Sequence, residues 1–460
     1  MRSLDDVIKA YDVRGVVPDQ FDAALAHDIG AAFVRVIGAA ARDGGSGAVV
    51  IGHDMRPSGP DLVAAFADGV TEQGCDVVRI GLCSTDGMYF ASGSTGLPGA
   101  MFTASHNPAQ YNGIKLCRAG ASPVGQDTGL AAIKQMVIDG VPQFDGPAGY
   151  VRDEDMLVPY AQYLRHLVGI EQIRPLKVVI DAGNGMAGYT APAVLNDLPL
   201  DIIPLFFELD GNFPNHEANP IDPENLRDTQ RAVIEHGADL GLAFDGDADR
   251  CFVVDERGEI VDPSTLTALI ASLELAKAPG APVIHNLITS RAVPEVIVEN
   301  GGVPVRTRVG HSFIKATMAE TGAVFGGEHS GHFYFRDFWR ADSGMLAALH
   351  VLSYLGHQPA GAKLSALLKP FDRYVLSGEI NTTVADAATS IAKVRAVYEG
   401  QDGISIDTLD GMTVAADHWW FNLRPSNTEP LLRLNVEAND QLQMAKVRDD
   451  VLALINGDTA

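Results

Sequence analysis

The sequence predicts an α/β architecture of three similar units followed by a distinct α+β unit. Three observations carry this: a pattern repeated three times, strand runs that are apolar throughout, and a change of pattern near the C-terminus. Gly47–Gly52 (GAVVIG) is a β-branched run, followed by an amphipathic stretch at Gly59–Gln73 and a second apolar run at Cys75–Ile80. The pattern returns as Lys177–Asp181, Asn184–Leu195 and Asp201–Phe207, and again as Ala281–His285, Ser290–Glu299 and Val303–Val309. Each copy reads strand, turn, helix, strand. Strands without a polar face that alternate with helices imply parallel sheets covered on both sides. Beyond the repeats, Gly403–Asp407, Thr413–Ala416, Trp419–Leu423 and Leu431–Val436 are closely spaced strand signals, and Asp410-Gly411 is a hairpin turn. A last helix is expected over Gln441–Ile455, with Met444, Val447, Val451 and Leu454 on one face and Gly457 as its C-cap. The expected domains are residues 1–152, 153–257, 258–369 and 370–460.

Composition narrows the function classes. The chain has 460 residues, which suggests about three or four domains. Its 34 Lys+Arg against 59 Asp+Glu give a formal charge of −25, which disfavours nucleic acid and anionic membranes as partners. An apolar fraction of 46% excludes disorder. The longest apolar run, Ile29–Ala41, is broken by Arg35 and glycines, well short of the ~20 residues of a spanning helix. Asp5, Asp6 and Lys9 stand where a secretory signal needs an apolar core, and Cys75, Cys83, Cys117 and Cys251 form no CxxC pair. These features lead to the expectation of a cytoplasmic protein with reduced, buried thiols.

Four polar clusters interrupt the apolar pattern. Thr103-Ala104-Ser105-His106-Asn107-Pro108 follows an apolar run, and Pro108 holds Asn107 extended, so the segment is a loop. A serine beside a histidine suits a nucleophile or phosphate carrier, and equally a Ser/Asn turn. The chain has no G-x-S-x-G elbow, which weakens an esterase reading. Asp245-Gly246-Asp247-Ala248-Asp249-Arg250 lies between two strand-like runs. Three carboxylates at alternating positions repel one another unless a cation sits between them, and hard oxygen ligands point to Mg2+ or a similar ion. An EF-hand loop is disfavoured, because Arg250 occupies its glycine position and the flanks are strands. Gly326-Gly327-Glu328-His329-Ser330-Gly331-His332 could bring backbone close to a ligand, with Glu and Ser bonding hydroxyls, and is equally a plain glycine turn. A zinc site at His329 and His332 lacks a third ligand nearby. Arg424-Pro425-Ser426-Asn427-Thr428-Glu429-Pro430 presents a donor fork and short hydroxyl and amide donors, a set suited to phosphate and also to a hairpin connection. A fifth match, Gly183-x-Gly185-x-x-Gly188 after a strand with Glu208 some ~20 residues on, fits a dinucleotide fingerprint. It supports an alternative, an NAD-dependent dehydrogenase.

Taken in order, the four clusters resemble the α-D-phosphohexomutases, specifically their bacterial phosphomannomutase/phosphoglucomutase branch. The resemblance spans essentially the whole chain and includes Tyr11-Asp12-Val13-Arg14-Gly15 and Asn112-Gly113-Ile114-Lys115. It implies three similar mixed α/β domains with layered sheets and a C-terminal α+β domain around a central cleft, one motif per domain. It implies that Ser105 carries a phosphoryl group, gives it to the substrate to form a hexose 1,6-bisphosphate, and takes back the other phosphate. The same bisphosphate is the implied activator. Asp245, Asp247, Asp249 and phosphorylated Ser105 would hold Mg2+. Glu328 and Ser330 would read sugar hydroxyls, with Tyr11 and His311 also on the substrate. Arg424, Ser426, Asn427 and Thr428 would hold the phosphate that is not reacting. Arg14, His106, Lys115, Arg250 and His332 would line the cleft, with Lys115 or His332 moving the hydroxyl proton. The implied partner is a hexose phosphate, with no nucleic acid or membrane, and the implied state is a monomer or weak homodimer. Two departures, Ile288-Thr289-Ser290-Arg291 and His329 in place of a common methionine, bear on sugar preference. A noncatalytic sugar-phosphate or metal-binding protein is the third reading.

Overall fold

In the computed structural model, residues 4–39, 47–425 and 431–457 are described, and the chain forms two compact units. The first comprises Met1–Val261 with Ser330–Leu367, the second Asp262–His329 with Leu368–Ala460.

The first unit contains two mixed sheets. In one, the parallel strands Ala48–His53 and Asp76–Leu82 match the first repeat, and Gly99–Phe102 pairs parallel to Ala48–His53 beside them. Tyr111–Arg118 then runs antiparallel to Gly99–Phe102, and Val13–Val16 antiparallel to it in turn. The parallel strands read from the repeat are thus extended by antiparallel ones into a mixed sheet. Helices Ala23–Val36 and Gly59–Glu72 cover one face at very close range. A Cβ at Gly30 would lie 2.4 Å from the Phe66 carbonyl oxygen, and one at Gly69 only 2.1 Å from that of His27, so both positions require glycine. Phe33, Phe66 and Phe102 fill the core beneath.

The second sheet has the order Ile260–Val261, Cys251–Asp255, Leu240–Phe244, Leu176–Asp181, Leu200–Leu205. Its last three strands are parallel, and Leu240–Phe244 is buried along its whole length. Cys251–Asp255 returns antiparallel, with Phe244 opposite Cys251. The acidic cluster is thus the hairpin loop at the C-terminal end of a buried parallel strand, where α/β sheets present their sites.

In the second unit, Pro282–Asn286 and Val303–Thr307 are parallel and match the third repeat, and Phe325–Gly327 pairs parallel to Pro282–Asn286. The C-terminal sheet is antiparallel, in the order Val375–Thr383, Leu431–Ala438, Trp419–Pro425, Met412–Ala415, Ser405–Asp407. Val375–Thr383 was not expected from the sequence. A bulge between Leu376 and Glu379, with Gly378 at φ 69°, breaks its alternation and hides it. The last helix runs Gln441–Asn456, capped by Gly457 in the left-handed region at φ 79°. Met444, Val447 and Val451 are buried as expected, while Ile455 rather than Leu454 completes the buried face. Among the described residues no helix is long and apolar enough to cross a membrane, and all four cysteines are free and buried. Burial pushes the Cys75 thiol up to about 12.

Asp86 ties three segments of the first unit together. Its carboxylate accepts hydroxyls from Ser84, from Tyr160 at 2.9 Å and from Ser343 at 2.6 Å. Burial outweighs these three donors and pushes its pKa up to about 6. An acid held above its unfolded value near 4 contributes stability that is complete below about pH 4 and is lost as pH rises through about 6, about 3 kcal/mol in all. In Asp86→Asn the amide oxygen can keep Tyr160 and Ser343, while the amide nitrogen donates to Ser84. The thermal midpoint of Asp86→Asn is therefore expected to lack the wild-type decline between pH 4 and 6. Parallel curves for the two proteins would refute the assignment.

Candidate active site

The Thr103–Pro108 loop and the Asp245–Arg250 loop meet in the first unit. Ser105 Oγ donates to Asp245 Oδ2 at 2.9 Å, accepts from Arg250 Nη2 at 3.4 Å, and lies 3.1 Å from His106 Nδ1. Ser105 sits in the left-handed region at φ 49°, a conformation that costs a non-glycine residue about 1–2 kcal/mol. The approach of the loops demands Gly246, because a Cβ there would stand 2.5 Å from the Ser105 carbonyl oxygen.

The three carboxylates of the acidic loop are buried. Arg250 Nε donates to Asp245 Oδ2 at 2.8 Å. Lys115 Nζ donates to Asp247 at 2.7 Å and to Asp249 at 2.6 Å, and Thr85 Oγ1 donates to Asp247 at 2.6 Å. His332 Nε2 lies 3.4 Å from Asp249 Oδ1. Asp247 Oδ1 is buried with no hydrogen-bond partner among the described residues. Burial raises the pKa of Asp245 and the two neighbouring carboxylates raise it further, although Arg250 opposes them. For Asp249 burial acts upward too, but Lys115 and His332 overcome it and hold the carboxyl well below the usual range. Lys115 is raised: burial opposes its charge, and Asp247 and Asp249 more than offset that. Burial, with Arg250 and Arg14 nearby, drives His106 down to about 2, so its imidazole is neutral. One oxygen from each of Asp245, Asp247 and Asp249 lies within 4.8 Å of the others, a set able to hold a metal ion. The unpartnered Asp247 oxygen fits that use.

The remaining expected residues are placed as follows. Arg14 donates to Asn107 Oδ1 at 2.6 Å and to Asp12 at 2.5 Å, and Tyr11 is exposed at 40%. Ser330 Oγ lies 3.1 Å from His332 Nδ1. In the second unit Glu328 is buried and accepts the Gly310 N–H at 3.3 Å. Arg424 is mostly buried and donates to Glu379 at 2.9 Å. Ser426, Asn427 and Thr428, and the side chain of His311, lie outside the described residues. Arg291 donates to Glu437 at 3.2 Å, and Leu287 and Ile288 pack against Trp420, so this departure segment is held by the C-terminal sheet.

The glycine turn of the dehydrogenase reading is filled. Met186 N donates to Gly246 O at 2.9 Å, and a Cβ at Gly185 would lie 2.7 Å from that oxygen. Asn184 Nδ2 donates to Glu208 O, and its Oδ1 accepts from Asn215 Nδ2. The turn therefore packs the acidic loop where a pyrophosphate would have to sit, and that expectation is corrected. Sequence reasoning also missed Thr85 and the pair Asp54 and Arg56. The available signal was a polar Asp54-Met55-Arg56 at the C-terminal end of a parallel strand.

Residues 5–140, 159–258 and 262–374 match, in order, the phosphoglucomutase/phosphomannomutase alpha/beta/alpha domains I, II and III, and residues 379–454 match the C-terminal domain. The chain belongs to the phosphoglucomutase/phosphomannomutase family. It is 41% identical over 452 residues to the phosphohexose mutases of Xanthomonas campestris pv. campestris, covering 98% of this chain and 99% of that protein. The phosphomannomutase/phosphoglucomutase of Pseudomonas syringae pv. tomato is 37% identical over 448 residues, covering 96% and 94%. The crystal structure of a phosphoglucomutase/phosphomannomutase family protein from Burkholderia thailandensis superposes with a TM-score of 0.87 at 35% identity, covering 100% of this chain and 98% of that one. The protein is a phosphohexomutase, an intramolecular phosphotransferase. No dehydrogenase is among these relatives.

Lys115 acts as the cation of the acidic loop in this structure. Removing one partner of a buried ion pair costs about 3–5 kcal/mol. Lys115→Met is expected to lower the thermal midpoint in chelator, and a saturating divalent cation should recover most of that loss. An equal loss with and without the cation would show that lysine and ion do not share the carboxylates.

Proposed function

We propose that this phosphohexomutase interconverts hexose 1-phosphate and hexose 6-phosphate, with mannose, glucose or both as the sugar, through a phosphorylated Ser105. The observation that carries this reading is Ser105 Oγ, hydrogen-bonded to Asp245 at 2.9 Å and strained at φ 49° beside a buried carboxylate triad. Asp245, Asp247 and Asp249, with the phosphoryl oxygens on Ser105, would hold Mg2+. When bound there, the ion supplies charge compensation for the phosphoryl oxygens. Arg250, already at Ser105 Oγ, adds a fixed guanidinium to the same end of the group. Neutral His106 beside Oγ adds no net charge to it. As the sugar hydroxyl oxygen bonds to phosphorus, the bond from phosphorus to Ser105 Oγ breaks. The hydroxyl proton is assigned to Lys115 or His332, Lys115 becoming able to accept it only once Asp247 and Asp249 turn from its ammonium to the ion. The resulting hexose 1,6-bisphosphate turns around and returns its other phosphate to Ser105, which makes the bisphosphate an activator of unphosphorylated enzyme.

Glu328 and Ser330 are assigned to the sugar hydroxyls, with Tyr11, Arg14 and His311 on the substrate. Arg424, with Ser426, Asn427 and Thr428, is assigned to the phosphate that is not reacting. Each family motif then falls in one of the four domains, residues 1–152, 153–257, 258–369 and 370–460. The free buried thiols support a reducing, cytoplasmic setting, and a monomer or weak homodimer completes the reading.

Two measurements test it. In a coupled assay with mannose 1-phosphate and glucose 1-phosphate, Ser105→Ala is expected to lose most turnover, and intact mass should show a phosphoryl adduct on wild type alone. Full activity in Ser105→Ala refutes the carrier. Losing a charge-assisted contact costs roughly 1.5–3 kcal/mol, so Arg424→Ala is expected to raise KM about 10- to 150-fold. Its Ser105 should still carry phosphate, and Arg424→Lys should rescue only in part because an ammonium lacks the fork. Wild-type KM and kcat in Arg424→Ala would leave Arg424 a structural partner of Glu379.

A further inference from the structure

We propose that Arg56 is a positioning residue that holds the Ser105 loop in its strained, reactive geometry, with Phe213 as its backing. The inference rests on the reading of Ser105 as the phosphoryl carrier. Arg56 is 1% exposed and lies outside every motif that pointed to the reaction. Its Nη1 donates to the carbonyls of Pro108 at 2.8 Å and Tyr111 at 2.9 Å. Its Nη2 donates to the carbonyls of Ser105 at 2.9 Å and Asn107 at 2.6 Å. All four N–H bonds of the two terminal nitrogens thus end on backbone of one loop and its exit. The remaining nitrogen, Nε, faces Asp54 Oδ2 at 3.3 Å, and Asp54 Oδ1 accepts the Arg56 backbone N–H at 2.9 Å.

Phe213 lies against the guanidinium, with its ring centroid 5.2 Å from Cζ. The segment that delivers it presses close, since a Cβ at Gly211 would lie 2.7 Å from Arg56 Cα. A planar cation with a fixed fork, anchored by a carboxylate at one edge and backed by a ring, can move little. The Ser105 carbonyl belongs to the same residue as the reacting Oγ, on backbone at φ 49°. Without an external hold the residue would relax from this region. That would shift Oγ relative to Asp245 and Arg250. An ammonium at this position has three N–H bonds on one atom and cannot span four carbonyls.

The test is Arg56→Lys, which keeps the positive charge beside Asp54 and removes the span. Turnover of a hexose 1-phosphate is measured per phosphorylated enzyme, with Ser105 occupancy read by intact mass after treatment with a hexose 1,6-bisphosphate. The expected result is a kcat lower by roughly 100-fold with KM within about threefold of wild type, the split that misplacement of a reacting atom produces. Wild-type kcat, or a loss that vanishes on normalising to folded, phosphorylated protein, overturns the proposal. If Arg56→Lys does not fold, Phe213→Leu carries the test, because it removes the ring and leaves every hydrogen bond of Arg56 in place. It should lower kcat about tenfold at unchanged KM, and wild-type kcat in Phe213→Leu overturns the proposal. Ser105→Ala in the same assay separates the two ideas, since turnover in that variant sinks the carrier reading itself, whatever the Arg56 variants do.

Discussion

Three carboxylates placed side by side out of water need positive charge close at hand. In this chain the requirement organises the whole first unit. Lys115 comes from the antiparallel strand Tyr111–Arg118, Arg250 from the end of the acidic loop itself, and His332 from a segment beyond the third repeat. Thr85 adds a hydroxyl from the N-terminus of the helix Thr85–Thr95. Each of these groups would be misplaced, or costly to bury, without the carboxylates. The net charge of −25 makes the local inversion sharper: the positive groups are drawn to one place in a chain that otherwise repels anions.

The same loop constrains backbone as well as charge. Gly246 must be bare because the Ser105 carbonyl approaches it, and Gly185 must be bare because Gly246 approaches from the other side. Three turns from two sheets therefore stack through glycine contacts. Ser105 is held at a positive φ, as are Asn184 and Ala248 in the turns it stacks with. Strain of this kind persists only where the surroundings over-determine it, and here hydrogen bonds and close packing act on it together.

Much of this was legible in the chain. The repeats were visible because buried parallel strands are apolar along their length, as Leu240–Phe244 is. The acidic loop and the serine loop stood out because unlike residues interrupt those runs. What they do came from the resemblance of four ordered motifs, since a serine turn and a glycine turn each have a bland explanation. Val375–Thr383 was hidden by its bulge, and the antiparallel returns by strands whose direction leaves no mark on composition. Thr85 left no signal, and Arg56 only the weak one of its place at a strand end, for a different reason. Arginine, aspartate and threonine next to turns are common, and their meaning lies in partners tens to hundreds of residues away.

The first unit is built from two separate stretches of chain, and this bears on its synthesis. A ribosome that has released residue 261 has supplied every strand of the two sheets, yet neither Ser343, which donates to Asp86, nor His332, which faces Asp249. At about 5–20 residues per second the nascent chain waits several seconds with both carboxylates incompletely covered. Meanwhile the parallel strands Pro282–Asn286, Val303–Thr307 and Phe325–Gly327, which belong to the other unit, emerge first. The proposed active centre is thus among the last parts of its own unit to close, and it closes only after part of another unit has been made.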